Sequence, residues 1–187
     1  MSHILIVYYS RRGENYCNGA IRDLPIGNTE VVAGMVAEHT GGDLFRIETV
    51  EPYAEGYRDC VARAVAEARE GARPALKAYP SLDGYDTVFL GYPNWCGTMP
   101  MAVFTFLERH DWSGKRICPF CTNEGSGLGK SEADLRAACP GARVERGLSV
   151  HGAEAAQARP QEAARVTGVL WAPLPLAPSI WRCERRP

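Results

Sequence analysis

Residues 7–30 read VYYSRRGENYCNGAIRDLPIGNTE, and the relation between the two ends of this stretch decides what the chain can be. An apolar run ends in Ser10-Arg11-Arg12-Gly13. Gly27-Asn28-Thr29 then opens a segment with Val31, Val32, Met35 and Val36 on one helical face. A strand, a glycine turn bearing hydroxyls and a helix start together make an anion site. The first N–H groups of the helix and its dipole point at whatever lies above them. Here Gly13–Ile26 stand between the two parts. An Asn/Thr N-cap alone would explain residues 28 and 29. The reading adopted is a single phosphate site with Ser10 and Gly27-Asn28-Thr29 as its walls and the excursion looping out between them. Such an excursion costs little closure entropy while its ends stay close.

The pattern then repeats along the chain. His3–Tyr9 is continuous and β-branched, as in a strand buried on both faces. A helix is expected over Asn28–Thr40, stopped by Gly41-Gly42, and a short strand over Asp43–Ile47. Tyr57–Glu70 reads as a helix, Tyr85–Gly91 as a second buried strand and Met99–Arg109 as a helix. Lys115–Phe120 (strand), Ser131–Ala138 (helix) and Ala142–Val150 (strand) complete the series. Strands alternating with helices predict right-handed crossovers and an α/β fold, a doubly wound parallel sheet of five strands in the order 2-1-3-4-5 between two helical layers. In that topology a ligand binds outside the carboxyl ends of the strands, at the switch point.

The loops there are the unusual ones. Tyr92-Pro-Asn-Trp-Cys-Gly97 puts Trp95 directly after a central strand, where a flat apolar ring suits stacking on another flat ring. Gly97 lets the backbone come close to such a ligand. Cys121-Thr-Asn-Glu-Gly-Ser-Gly-Leu-Gly129 follows the next strand. Its continuation into Lys130-Ser131 imitates a Walker A loop, with Glu124 in the place of the first glycine. A carboxylate there repels the phosphates such a loop cradles, and no metal-holding aspartate follows a later strand. A glycine-rich wall beside a flat ligand is the better reading.

Composition narrows the classes further. The 187 residues carry 21 Lys and Arg against 22 Asp and Glu, so no basic field points to nucleic acid. No apolar run approaches membrane-spanning length, and the N-terminus lacks the features of a secretory leader, so a cytoplasmic location is expected. Of the seven cysteines only Cys118-Pro-Phe-Cys121 has a chemical spacing. It ends a strand instead of starting a helix, which favours buried, inert thiols. Residues 1–170 are assigned to the domain, with a short helix near Gln161–Leu170. Residues 171–187, rich in proline and arginine, form a separate tail.

The ordered set YYSR-GENY, displaced GNT, GYPxWxGT and FCTxEGSGLG resembles the flavodoxins, over His3 to about Ala153. That resemblance implies non-covalently bound FMN. It implies that Ser10, Gly27, Asn28 and Thr29 hold the phosphate with Arg11 nearby. Pro93, Asn94, Trp95, Cys96 and Gly97 would line one side of the isoalloxazine, and Thr122, Asn123, Glu124 and Gly125 the other. Glu14–Tyr16 would lie near the flavin's edge. Relatives often carry a second aromatic where this chain has Cys96 and an aliphatic residue at Asn94. The implied function is electron transfer between redox partner proteins, by a monomer or weak dimer. The alternative is an FMN-dependent NAD(P)H:quinone-type oxidoreductase of the same fold.

Overall fold

The structure is a computed structural model that describes residues 3–157. The helix expected near Gln161–Leu170 and the tail from residue 171 lie outside those residues. β1 (Ile4–Tyr8) is buried along its whole length. Alternate side chains serve two cores, as the period of a strand requires. Leu5, Val7 and Tyr9 pack with Met99, Phe106 and Trp112, whereas Ile4, Ile6 and Tyr8 pack with Val32, Ala33 and Val36.

After β2 (Gly13–Cys17) and β3 (Ala20–Leu24) of the excursion, the other main strands are β4 (Asp43–Arg46), β5 (Thr87–Pro93) and β6 (Arg116–Asn123). The sheet runs β4-β1-β5-β6 in parallel, then continues in two short pieces, β7 (Arg143–Val144) and β8 (Leu148–His151). Both pieces pair with β6, β7 against Arg116 and Ile117 and β8 against Phe120–Asn123. They are two halves of one edge strand, so the five positions follow the order 2-1-3-4-5. The single strand expected over Ala142–Val150 is broken because Gly147 N–H leaves the ladder for Glu132 Oε1 (2.6 Å).

Helix α1 (Asn28–Thr40) covers one face, beside a 3-10 turn at Gly152–Gln157. On the other side stand α2 (Tyr57–Glu70), α3 (Met101–Leu107) and α4 (Ser131–Ala138). α3 begins two residues later than expected. Pro100 holds the residue before it out of the helical region, so Met99 stays in the loop and is fully buried there.

The excursion is an antiparallel hairpin. β2 (Gly13–Cys17) pairs with β3 (Ala20–Leu24) through a two-residue turn, Asn18-Gly19, with φ of 51° and 81°. Two positive φ values define the turn whose twist matches its flanking strands. Cys118 and Cys121 sit on opposite faces of β6, one in each core. Burial pushes both thiols up to about 12, so they are neither a disulfide pair nor a redox pair.

Candidate cofactor site

At the carboxyl ends of β1, β5 and β6 lies a cavity of about 280 Å³. Its first wall is the start of α1. Gly27, the N-cap, has no side chain to offer, and Ser10 Oγ accepts the Glu30 N–H instead (3.1 Å). A helix leaves its first N–H groups without intrahelical acceptors. With Glu30 served by Ser10, those of Asn28 and Thr29 are left for a ligand in the cavity that both residues line. The Thr29 and Thr122 hydroxyls meet at 2.7 Å, both buried. A Cβ on Gly27 would come within 2.9 Å of the Arg11 carbonyl carbon and closer still to Ser10 Oγ and Arg11 O. The two ends of the excursion therefore touch.

Trp95 lines a second wall, its ring edge-on to Tyr9 (5.4 Å) and Tyr53 (5.1 Å). Burial raises both phenols far above their usual range, with the Tyr53 hydrogen bond to Glu67 adding to its shift, so both stay neutral. Trp95 and Thr98 exchange backbone hydrogen bonds (2.9 and 3.0 Å) around a turn in which Cys96 and Gly97 have φ of 53° and 78°. The left-handed region is unfavourable for a cysteine, so Cys96 carries local strain. Pro93 and Asn94 line the cavity beside Trp95. Asn94 Nδ2 donates to Gly127 O (2.8 Å) and Lys130 N–H to Gly97 O (2.9 Å), which stitches this loop to the next.

In that third wall Thr122, Asn123 and Glu124 line the cavity. The Asn123 carbonyl takes the N–H groups of Gly125 (3.0 Å) and Gly127 (2.9 Å), and its amide reaches Ser149 Oγ (2.9 Å). Asn123 therefore shapes the loop. The Walker-like tail is elsewhere: Lys130 is exposed beside Asp134 (3.8 Å), and the Ser131 hydroxyl is buried between Tyr92 and Leu128 O.

The hairpin forms the remaining side. Asn15 and Tyr16 line the cavity, and Tyr16 lies 6.4 Å from the ring of Tyr57, which lines it too. Glu14 accepts the Tyr57 N–H (2.8 Å), capping α2. Asn18 N–H donates to Glu124 Oε2 (2.7 Å), and His151 Nε2 stands 3.9 Å from the same oxygen. The other oxygen, Oε1, is buried without a hydrogen-bond partner. A carboxylate oxygen left so is costly unless a donor arrives. In this structure Oε1 is covered by Gly152.

Among the expected site residues, Ser10, Arg11, Asn28, Thr29, Pro93, Asn94, Trp95, Thr122, Asn123 and Glu124 line this cavity. Gly27, Cys96, Gly97 and Gly125 stand behind its walls. Arg11 lines the cavity, but its guanidinium is engaged by the carbonyl oxygens of Glu14, Ala54 and Glu55. Tyr57, Ser126 and Gly152 line it and were not anticipated. Gly152 follows β8, and Tyr57 opens the helix after β4. Both stand beyond strand carboxyl ends, as the residues of the other three loops do.

The fold and this cavity define a flavodoxin-like α/β protein with a ligand site at its switch point. The flavodoxin family model matches residues 24–161, and the chain belongs to that family. Among solved structures, a candidate flavoprotein from Bacteroides eggerthii is similar at 27% identity and a TM-score of 0.71, covering 91% of this chain and 100% of that one. A second, from Bacteroides uniformis, has 27% identity and a TM-score of 0.66 over 83% and 96%. A flavoprotein in complex with FMN from Lactobacillus acidophilus shares the fold at 16% identity and a TM-score of 0.63 over 89% and 99%. No curated protein matches the sequence. Among the described residues no helix is long and apolar enough to cross a membrane.

Proposed function

We propose that this chain binds FMN non-covalently in the switch-point cavity and carries electrons between redox partner proteins as a flavodoxin-type carrier. One observation supports this most: a single cavity joins the N-terminus of α1 and its hydroxyls to an aromatic region made by Trp95, Tyr16 and Tyr57. FMN, when bound, supplies the redox chemistry.

The chain's own residues bind, orient and exclude water. Ser10 and the N–H groups of Asn28 and Thr29 hold the monophosphate, with Gly27 admitting the close approach of the two walls. Arg11 braces the hairpin against the Ala54–Glu55 backbone and contributes its charge from a distance. Trp95 offers its ring to the isoalloxazine, with Pro93 and Asn94 beside it and the Cys96-Gly97 turn behind them. Thr122, Asn123 and Glu124 form the opposite wall with Gly125 behind them. The Glu124 carboxylate disfavours added negative charge nearby, which lowers the reduction potential of a bound redox group.

The test is direct. The purified protein mixed with FMN should quench its fluorescence to a one-to-one endpoint. A colourless protein that leaves excess FMN fluorescence unchanged refutes the reading. The alternative, an FMN-dependent NAD(P)H:quinone-type oxidoreductase, is favoured by the near-balanced charge, since carriers that steer to basic partners gain from an acidic surface. Steady NADPH oxidation with a quinone and no added reductase would select it.

A further inference from the structure

We infer that the hairpin β2–β3 is a closing flap over the cavity and that Glu124 is the positioning residue that holds it shut. The inference rests on the FMN reading for the identity of the ligand, but not for the latch itself. The hairpin has little to hold it by packing. β3 is exposed at every residue but Leu24, and in β2 only Cys17 is buried. Tyr16 and its cross-strand partner Ile21 are each about half exposed, at 46% and 48%. A two-stranded ribbon of this kind is marginal in water by itself. Beyond buried Cys17 and the Tyr16–Tyr57 ring contact (6.4 Å), what ties it down is polar and local to three points. Arg11 and the Glu14–Tyr57 N–H bond fix its base, and the Asn18–Glu124 bond fixes its tip.

The tip bond is the one that closes the cavity. It spans 106 positions of sequence and joins the turn of the hairpin to the wall formed after β6. Between tip and base lie Asn15 and Tyr16, the hairpin residues that line the cavity. Breaking the tip bond frees Tyr16 to swing away about the braced base. Glu124 also lines the cavity; its Oε2 takes the hairpin N–H, and its Oε1 is buried against Gly152 without a hydrogen-bond partner. Gly152 is packed so closely that a Cβ there would collide with Glu124 Oε1 and lie 2.5 Å from Asn28 Nδ2. This packing leaves the carboxylate little room to turn away from Asn18.

The experiment compares Glu124→Gln with Glu124→Ala in the full chain. Both lack the charge, so any electrostatic effect on a bound phosphate is common to them. Only the glutamine keeps an oxygen able to accept Asn18 N–H. In ligand-free protein, amide hydrogen exchange over residues 13–24 should be about tenfold or more faster in Glu124→Ala than in Glu124→Gln, while β1 and β5 exchange alike in the two. FMN should dissociate about tenfold or more faster from Glu124→Ala than from Glu124→Gln, read by fluorescence recovery on dilution. Equal hairpin exchange in the two variants with equal FMN dissociation overturns the inference. If FMN binds to no form of the protein, the functional reading falls, and the ligand-free exchange still decides the latch.

Discussion

Replacing Gly27 by alanine tests whether the two ends of the excursion form one site. Gly27 has φ of −70° and ψ of 147°, which any residue adopts, so alanine meets no backbone penalty. Its new methyl would instead collide with Ser10 Oγ and with the Arg11 carbonyl, whose carbon lies 2.9 Å away. Two of these three atoms are backbone and cannot rotate aside. Forcing them apart costs about 1–3 kcal/mol, as for other overpacked positions. Displacing Ser10 from the Glu30 N–H, which keeps Gly27 O at 3.0 Å, costs at most about 1 kcal/mol. The lower entropy of the unfolded alanine chain returns about 0.4–1 kcal/mol. The net expectation is a destabilisation of about 1–3 kcal/mol. Gly34, inside the same helix, has open space around its Cβ position. Gly34→Ala should therefore stabilise by about 0.5–1 kcal/mol through helix propensity. Urea denaturation of the ligand-free protein measures both. Fluorescence titration should show FMN binding weakened about tenfold or more in Gly27→Ala, since one hydrogen bond to a charged group carries about that much. A Gly27→Ala protein as stable as Gly34→Ala, with unchanged FMN affinity, would refute the apposition of the two walls.

Three further outcomes are expected. Trp95→Ala removes the ring between Tyr9, Tyr53 and the cavity and should weaken FMN binding about 10–100-fold, measured by the same titration. Asn123→Ala orphans the Gly125 and Gly127 N–H groups, and a loss of about 2–3 kcal/mol in urea denaturation is expected. Among the described cysteines, Cys96 alone is exposed, so mass-mapped thiol labelling of native protein should find it first. Burial pushes the thiols of Cys118, Cys121 and Cys139 up to about 12 from an ordinary 9.0. The folded state then holds protons that the unfolded state releases. Their contribution is complete below about pH 9 and is lost as pH rises toward 12, so stability measured by denaturation should fall across that window.

The central sheet was legible because burial writes itself into periodicity. Ile4–Tyr8 and Val88–Leu90 are continuous apolar runs because both faces of those strands are covered, and the helices between them show one apolar face. The order of the strands follows from alternation and the handedness of crossovers. The site was legible where a local signal carried it. Trp95 after a central strand and Gly27-Asn28-Thr29 at a helix start each have a meaning within a few residues. Cys96 and Gly97 were expected in the cavity on the same ground and stand behind it, because their turn points its apex away from the Trp95 ring toward Lys130 and Asp134.

The hairpin was hidden for the opposite reason. Its strands face solvent on most positions, so no alternation of apolar and polar residues marks them. The one local signal was Asn18-Gly19, the pair that supplies two positive φ values at little cost, and it fixes a hairpin without saying where the hairpin lies. That placement depends on contacts no local pattern encodes: Asn18 with Glu124, Glu14 with Tyr57, and Arg11 with Ala54 and Glu55. Glu124 shows the same limit from the other side. Read locally, its carboxylate disqualifies a phosphate loop. Read in three dimensions, the disqualifying charge is an acceptor for the inserted hairpin. The insertion at one loop and the carboxylate at another then become two halves of one device, joined by a main-chain N–H on one side and a side-chain oxygen on the other, so the Glu124 side is the one a side-chain change disables.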